Sequence, residues 1–170
     1  MPLLGAILAG GQARRFGSDK AHARYNGWRL IDLAADALSA QCDGLVVCGR
    51  EEAGFTCIPD RPEADIGPLG GINAALHYAA ANEYDRVLSV ACDIPNIPAD
   101  LARAMAGDGA AIVQSQPVVG LWPVELAGTL DEFLVQGGRK LFDFAGRVDA
   151  RLVRFDPPLL NINRPEDLPE

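Results

Sequence analysis

"LLGAILAGGQARRFGSDKA", residues 3–21, joins an unbroken apolar run to a loop holding three glycines, two adjacent arginines and a lysine. The run over 3–9 has no polar alternation, so it reads as a strand buried on both faces, as parallel strands between helices are. The reading extends outward from there. "LIDLAADALSA" sets Leu30, Leu33, Ala34, Ala37 and Leu38 at helical spacing, and "GLVVCG" (44–49) and "FTCIPD" (55–60) are two more short strands. The Pro/Gly-rich loop "DRPEADIGPLGG" leads into "PLGGINAALHYAAA", where Pro68 can open a helix because a first turn needs no proline N–H. "DRVLSVACD" (85–93) is a fourth strand ending in a carboxylate. "IPADLARAMAG" reads as a short helix, "AAIV" and "PVVGLW" as later strands, and "VELAGTLDEFLVQ" as a helix with Leu126, Leu130, Phe133 and Leu134 on its apolar side.

Alternating strand and helix over the first hundred or so residues predicts an α/β fold: a mostly parallel sheet with helices on both faces. Such sheets bind ligands outside the carboxyl ends of their strands, near a switch point in strand order. The glycine loop, Asp60 and Asp93 should therefore meet on one edge. Residues 1–170 read as one domain, with no internal repeat or linker.

At 49% apolar residues, the chain has enough to build a core without disulfides or a structural metal, and disorder is excluded. The four cysteines (Cys42, Cys48, Cys57 and Cys92) form no CxxC pair and read as reduced thiols, which disfavours a zinc site. The apolar start lacks a basic flank and is too short to span a bilayer, so a cytoplasmic protein with no membrane partner is expected. The net charge of −8 is unevenly spread, because Arg14, Arg15, Lys20, Arg24 and Arg29 face only Asp19 in the first 31 positions. An acidic body with one cationic loop suits a small anionic ligand and argues against a nucleic-acid partner.

The loop matches neither common phosphate motif. Gly17 is followed by Ser18-Asp19-Lys20 rather than Lys-Ser/Thr, and Gly10 and Gly11 are adjacent, which breaks G-x-G-x-x-G. It offers a different cradle: Gly10 and Gly11 permit close backbone approach, Gly17 a second sharp turn, and Arg15 and Lys20 supply charge. Asp93, before Ile94-Pro95, is placed to hold Mg²⁺ against phosphate oxygens, and a plain turn aspartate is the alternative. Asp60, in "PDRP", could accept hydrogen bonds from a ribose or base, support the metal, or simply make a turn.

Taken together, "LAGGQARRFGSDKA", "DRPEADIGPLGGINAAL", "SVACDIPNIPADL", "QPVVGLWPVEL", "FLVQGGRKL" and "NINRPEDL", in that order, resemble the molybdenum cofactor guanylyltransferase family over nearly the whole chain. The resemblance implies a Rossmann-like nucleotidyltransferase fold and a reaction. GTP and molybdenum-bound molybdopterin would give the guanine dinucleotide cofactor and pyrophosphate. By motif, Leu8, Ala9, Gly10 and Gly11 would contact guanine and the phosphates, Lys20 would hold phosphates, Asp60 would bind nucleotide, and Asp93 would carry Mg²⁺. Arg15 would assist Lys20, and Asn161 and Asn163 would face the pterin, ordinary turn asparagines being the alternative. The terminal phosphate of molybdopterin would attack the α-phosphate of GTP in line, without a covalent intermediate. Transient contact with other proteins of cofactor biosynthesis fits such chemistry.

The chain departs from the family pattern at Cys48, where a nucleotide-contacting asparagine is frequent, and at Gln116, where a histidine is usual. Gly70 stands for a frequent alanine, and "GGRK" lacks an acidic neighbour. These changes bear on substrate identity more than on fold. The rival readings are a cytidylyl- or other nucleotidyltransferase on the same fold, and a nucleotide or pterin carrier without turnover. Leu8-Ala9-Gly10-Gly11 points to guanine rather than cytosine, and a carrier could dispense with Asp93. His22 and His77 read as surface or satisfied positions and Trp28 and Trp122 as packing residues. Arg139 and Lys140 read as either a phosphate clamp or a solvated helix start.

Overall fold

A computed structural model describes residues 2–10, 22–162 and 167. In chain order the elements are β1 (Leu3–Leu8), β2 (Arg24–Tyr25), β3 (Trp28–Arg29), α1 (Leu30–Ser39), β4 (Gly44–Cys48), β5 (Cys57–Ile58), α2 (Pro68–Ala81) and β6 (Arg86–Ala91). The second half adds α3 (Leu101–Met105), β7 (Ala111–Val113), β8 (Gln116–Pro123), α4 (Ala127–Val135), α5 (Leu141–Arg147) and β9 (Arg151–Val153).

Among the described residues β1 sits near the middle of a seven-stranded sheet of order β5-β4-β1-β6-β8-β7-β9. It pairs in parallel with β4 on one side and β6 on the other, so the chain changes direction across the sheet at β1. That is the switch point at which an open sheet leaves a crevice. β8 runs antiparallel to both β6 and β7, so the far side of the sheet is mixed.

Both faces are covered, which is why the opening run is apolar throughout. Leu3 and Ile7 pack with Ile31, Ala34 and Leu38 of α1 and with Leu101 and Met105 of α3. Leu4 and Ala6 pack on the opposite face with Leu69, Ile72 and Leu76 of α2, Leu130 of α4 and Phe144 of α5. α2 is apolar nearly all round because it lies between the sheet and α4, and its bounds match the run opened by Pro68. Two register expectations shift. α1 buries Leu30, Ile31, Ala34, Ala35 and Leu38 rather than a stripe through Leu33 and Ala37. The helix after β8 starts as a 3-10 turn, Val124–Leu126, and α4 buries Ala127 in place of Leu126.

Trp122 is fully buried against Phe144, whereas Trp28, at the tip of the β2–β3 hairpin, is 61% exposed and has no packing role of the kind expected. All four cysteines are free thiols. Among the described residues no helix is long and apolar enough to cross a membrane.

Candidate active site

The carboxyl ends of the strands are tied together by backbone hydrogen bonds that continue past the regular pairing. Gly49 N–H donates to Ile58 C=O at 3.0 Å, Ala9 N–H to Cys48 C=O at 3.0 Å, Cys92 N–H to Leu8 C=O at 3.3 Å, and Ile162 N–H to Asp93 C=O at 3.0 Å. The result is a backbone rail from β5 through β4, β1 and β6 to the C-terminal segment. Asp60 and Asp93 stand at matching places on it, each two residues beyond the end of its strand. Asp93 is therefore in the turn after β6 rather than the last residue of the strand.

Asp60 lies among glycines. A Cβ placed on Gly49 would be 3.1 Å from Asp60 Oδ1, one on Gly71 3.5 Å from the same oxygen, and one on Gly10 3.6 Å from Oδ2. Gly49, at φ +89°, turns the chain so that its backbone rests on that of Gly10. The structure thus brings Leu8, Ala9, Gly10 and Asp60 together. Burial, and secondarily the charge of Asp65, pushes the Asp60 carboxyl above its ordinary range. A cavity of about 350 Å³ opens beside it, lined by Gly49, Arg50, Glu51, Ile58, Pro59, Asp60, Ala64 and Asp65. Its volume is in the range of small-molecule pockets.

Asn161 lies at the other end of the rail, next to the residue that bonds Asp93, and its Nδ2 donates to Gln116 Oε1 at 3.2 Å. Asn96 holds this segment in place: Leu160 N–H donates to Asn96 Oδ1 at 2.8 Å. Gly11, Arg15, Lys20 and Asn163 lie outside the described residues. Cys48 is buried beneath the rail, and burial pushes its thiol well above the usual range. Arg139 Nη1 donates to the Leu134 and Gly138 carbonyls, closing the end of α4.

Two side-chain clusters were not visible in the sequence. Glu52, buried, accepts from His22 at 2.7 Å and Arg29 at 3.4 Å, and Arg50 Nη2 lies 3.4 Å away. Asn73, fully buried in α2, donates to Asp131 Oδ1 of α4 at 2.9 Å, and Asp131 Oδ2 is 2.9 Å from His77. The spacing of Asn73 and His77, four apart on one helix, was the only local signal for the second cluster. The first joins residues far apart in sequence and left none.

Comparison with known proteins bears on the fold and the family. A model of the MobA-like NTP transferase domain matches residues 5–150. A molybdenum cofactor guanylyltransferase from Cereibacter sphaeroides is 37% identical over 182 residues, covering 99% of this chain and 94% of its own. One of the same name from Rhizobium leguminosarum is 36% identical, with 99% of this chain and 90% of its own covered. In fold, the chain is similar to molybdopterin-guanine dinucleotide biosynthesis protein A from Archaeoglobus fulgidus, with a TM-score of 0.77, 22% identity and 96% and 94% coverage of the two chains. It is also similar in fold to a 2-C-methyl-D-erythritol 4-phosphate cytidylyltransferase from Thermus thermophilus, with a TM-score of 0.72, 12% identity and 95% and 93% coverage. The sheet, the rail of backbone bonds and these relatives agree: the chain is a nucleotidyltransferase and belongs to the molybdenum cofactor guanylyltransferase family.

Proposed function

We propose that this chain transfers the guanylyl group of GTP to molybdenum-bound molybdopterin, releasing pyrophosphate. The observation that carries the reading is the order of groups along one sheet edge: the cavity and Asp60 at β4 and β5, Gly10 at β1, Asp93 at β6, and Asn161 beyond it. Strands lie about 4.8 Å apart, so β4 and β6 are separated by about 10 Å, comparable with the reach from a nucleobase to its α-phosphate. The base then lies at the cavity end, the phosphates over the glycine backbone, and the pterin phosphate arrives from the side of Asn161.

In this reading Leu8, Ala9, Gly10 and Gly11 meet the nucleotide, Asp60 accepts hydrogen bonds from its ribose or base, and Arg15 and Lys20 neutralise phosphate charge. Asp93 would hold Mg²⁺. Among the described residues no group of three or more carboxylate, histidine or cysteine ligands surrounds any point. A single strand-end carboxylate such as Asp93 would suit Mg²⁺, which is commonly held by one or two carboxylates together with substrate phosphates and water. Bound there, Mg²⁺ would offset charge on the phosphates. Asn161 and Asn163 would orient the pterin. The attacking phosphate is already ionised near neutral pH, so no side chain need act as a strong base. Transient docking of a pterin-delivering protein at that end suits the chemistry.

The test is pyrophosphate release on incubation with molybdenum-molybdopterin, Mg²⁺ and GTP, CTP or ATP in turn. Turnover with GTP is expected. A preference for CTP would move the chain to cytidylyl transfer, and tight nucleotide binding without pyrophosphate release would make it a carrier.

Asp60 gives the reading a pH signature. Its carboxyl is raised in the folded chain, so the folded state takes up the proton more readily than the unfolded one. The ionised form therefore costs stability at neutral pH, and the cost is relieved as pH falls through the raised value. Asp60→Asn should accordingly raise the unfolding midpoint at neutral pH while weakening GTP binding. In the wild type, GTP affinity should fall on acidification before ordinary carboxylates titrate, at about pH 4. Calorimetric GTP titrations across that range check this, and an affinity independent of Asp60 would remove it from the nucleotide site.

A further inference from the structure

We propose that Gln116 positions the acceptor substrate: its carboxamide, held at Oε1 by Asn161, donates from Nε2 to the carbonyl oxygen of the pterin ring. This rests on the guanylyl reading above and gives a role to a residue which that reading leaves unused. Gln116 opens β8 directly after the turn at 114 and 115, opposite Val113 of β7. β8 runs antiparallel to β6, so its first residue lies at the edge where β6 ends. The ladder to β7 is irregular at this point: one step along β7, from Ile112 to Val113, answers four steps along β8, from Gly120 to Gln116. Such irregularities re-aim a side chain and are frequent beside active sites.

The bond between the two amides is not needed to dock the C-terminal segment. Asn161 is bracketed by other bonds, Leu160 N–H to Asn96 Oδ1 at 2.8 Å and Ile162 N–H to the Asp93 carbonyl at 3.0 Å, and Ile162 is buried against Leu30. With the segment held on both sides, the 3.2 Å bond from Asn161 Nδ2 to Gln116 Oε1 fixes two side chains. It also sets which way the Gln116 amide lies: Oε1 is toward Asn161, so Nε2 is the end left over. Among the described residues Nε2 has no hydrogen-bond partner, and Gln116 and Asn161 are both partly exposed. Asn161 Oδ1, by contrast, is shielded from water and accepts from nothing among the described residues. Folded proteins seldom leave a buried acceptor unpaired, which marks the pair as incomplete without a ligand.

What the pair offers is uncharged. A phosphate favours cations, because charge-assisted hydrogen bonds are about twice as strong as neutral ones. A carboxamide donor beside a carboxamide acceptor matches instead a neutral heterocycle whose edge carries both kinds of group. The 2-amino-4-oxo edge of a pterin is of that kind. The placement agrees with the chemistry. β8 lies beyond β6 as seen from the nucleotide cavity, so Gln116 and Asn161 stand on the far side of Asp93, where the ring would follow its phosphate.

The experiment is steady-state turnover by the wild type, Gln116→Glu and Gln116→Ala, with separate KM values for GTP and molybdenum-molybdopterin, inhibition by 6-hydroxymethylpterin, and the unfolding midpoint of each variant. Gln116→Glu keeps the shape and the acceptor for Asn161 but replaces the donor with an oxygen, so it separates contact with the ring from mere support of Asn161. KM for molybdenum-molybdopterin should rise about tenfold or more in both variants, while kcat and KM for GTP move by about twofold or less. 6-Hydroxymethylpterin carries the same ring edge without a phosphate. It should inhibit the wild type and lose about tenfold in potency against Gln116→Glu. A Gln116→Glu variant with wild-type KM for molybdenum-molybdopterin would reduce Gln116 to a support and overturn the inference. A raised KM with unchanged inhibition, or no inhibition of the wild type, would move the contact off the ring and overturn it too. Either result leaves the guanylyl reading in place, whereas a wild type without GTP turnover would remove both.

Discussion

Replacing Asp93 with alanine should lower Mg²⁺-dependent pyrophosphate release from GTP by about 10²- to 10³-fold, the scale on which losing one preorganised group that stabilises transition-state charge is felt. The chain should remain folded. Asp93 sits in the turn after β6, and its backbone carbonyl accepts from Ile162 N–H, a bond that alanine keeps. Losing the carboxylate removes the proposed metal ligand without emptying the core. GTP binding measured without Mg²⁺ should hardly change, because the cavity and Asp60 lie two strands away. Asp93→Asn, which keeps the shape, should lose as much turnover as Asp93→Ala. Wild-type Mg²⁺-dependent turnover in both variants would take Asp93 out of the chemistry and leave it a turn residue.

How far the sequence could lead to this site is seen by comparing its parts. The opening run was legible because a strand covered on both faces must be apolar at every position, and Leu3–Leu8 is buried at nearly all of them. α2 was legible to the residue because proline fixed its start. Asp60 and Asp93 could be put on one edge because parallel strands all end on the same side. Strand direction could not be read beyond that: nothing in "PVVGLW" says that β8 turns back antiparallel beside β6. The β2–β3 hairpin carried a signal that went unread, Asn26-Gly27 with both residues at positive φ. α5 and β9 are too short for periodicity to reveal, with seven and three residues. The Glu52 cluster unites positions 22, 29, 50 and 52, which only the fold brings together. Cys48 shows the reverse: the resemblance sets it where a nucleotide-contacting asparagine is frequent, and the fold buries it.

Gly49→Ala should cost about 2–4 kcal/mol of stability and weaken GTP binding well beyond what that loss alone would do. Two costs combine at this position. At φ +89° any side chain strains the backbone. A Cβ there would also stand 2.8 Å from Gly10 Cα, 3.1 Å from Gly10 N and 3.1 Å from Asp60 Oδ1. Two of those three neighbours are backbone atoms, which cannot swing aside as a flexible side chain can. Relief therefore requires the glycine loop after β1 to move away from β4, carrying Gly10 off the rail and out of register with Asp60. Gly54 provides the internal control. It has the same φ of +89°, with nothing within 4 Å of its would-be Cβ. Gly54→Ala should cost only the conformational strain, about 1–2 kcal/mol, and leave GTP affinity unchanged. Thermal unfolding and GTP titration of the two variants side by side separate strain from crowding. If Gly49→Ala behaves like Gly54→Ala in both measurements, the close approach of Gly10 and Gly49 is incidental to the site. If only Gly49→Ala loses nucleotide, the contact between two glycine backbones is what holds Gly10 in register with Asp60.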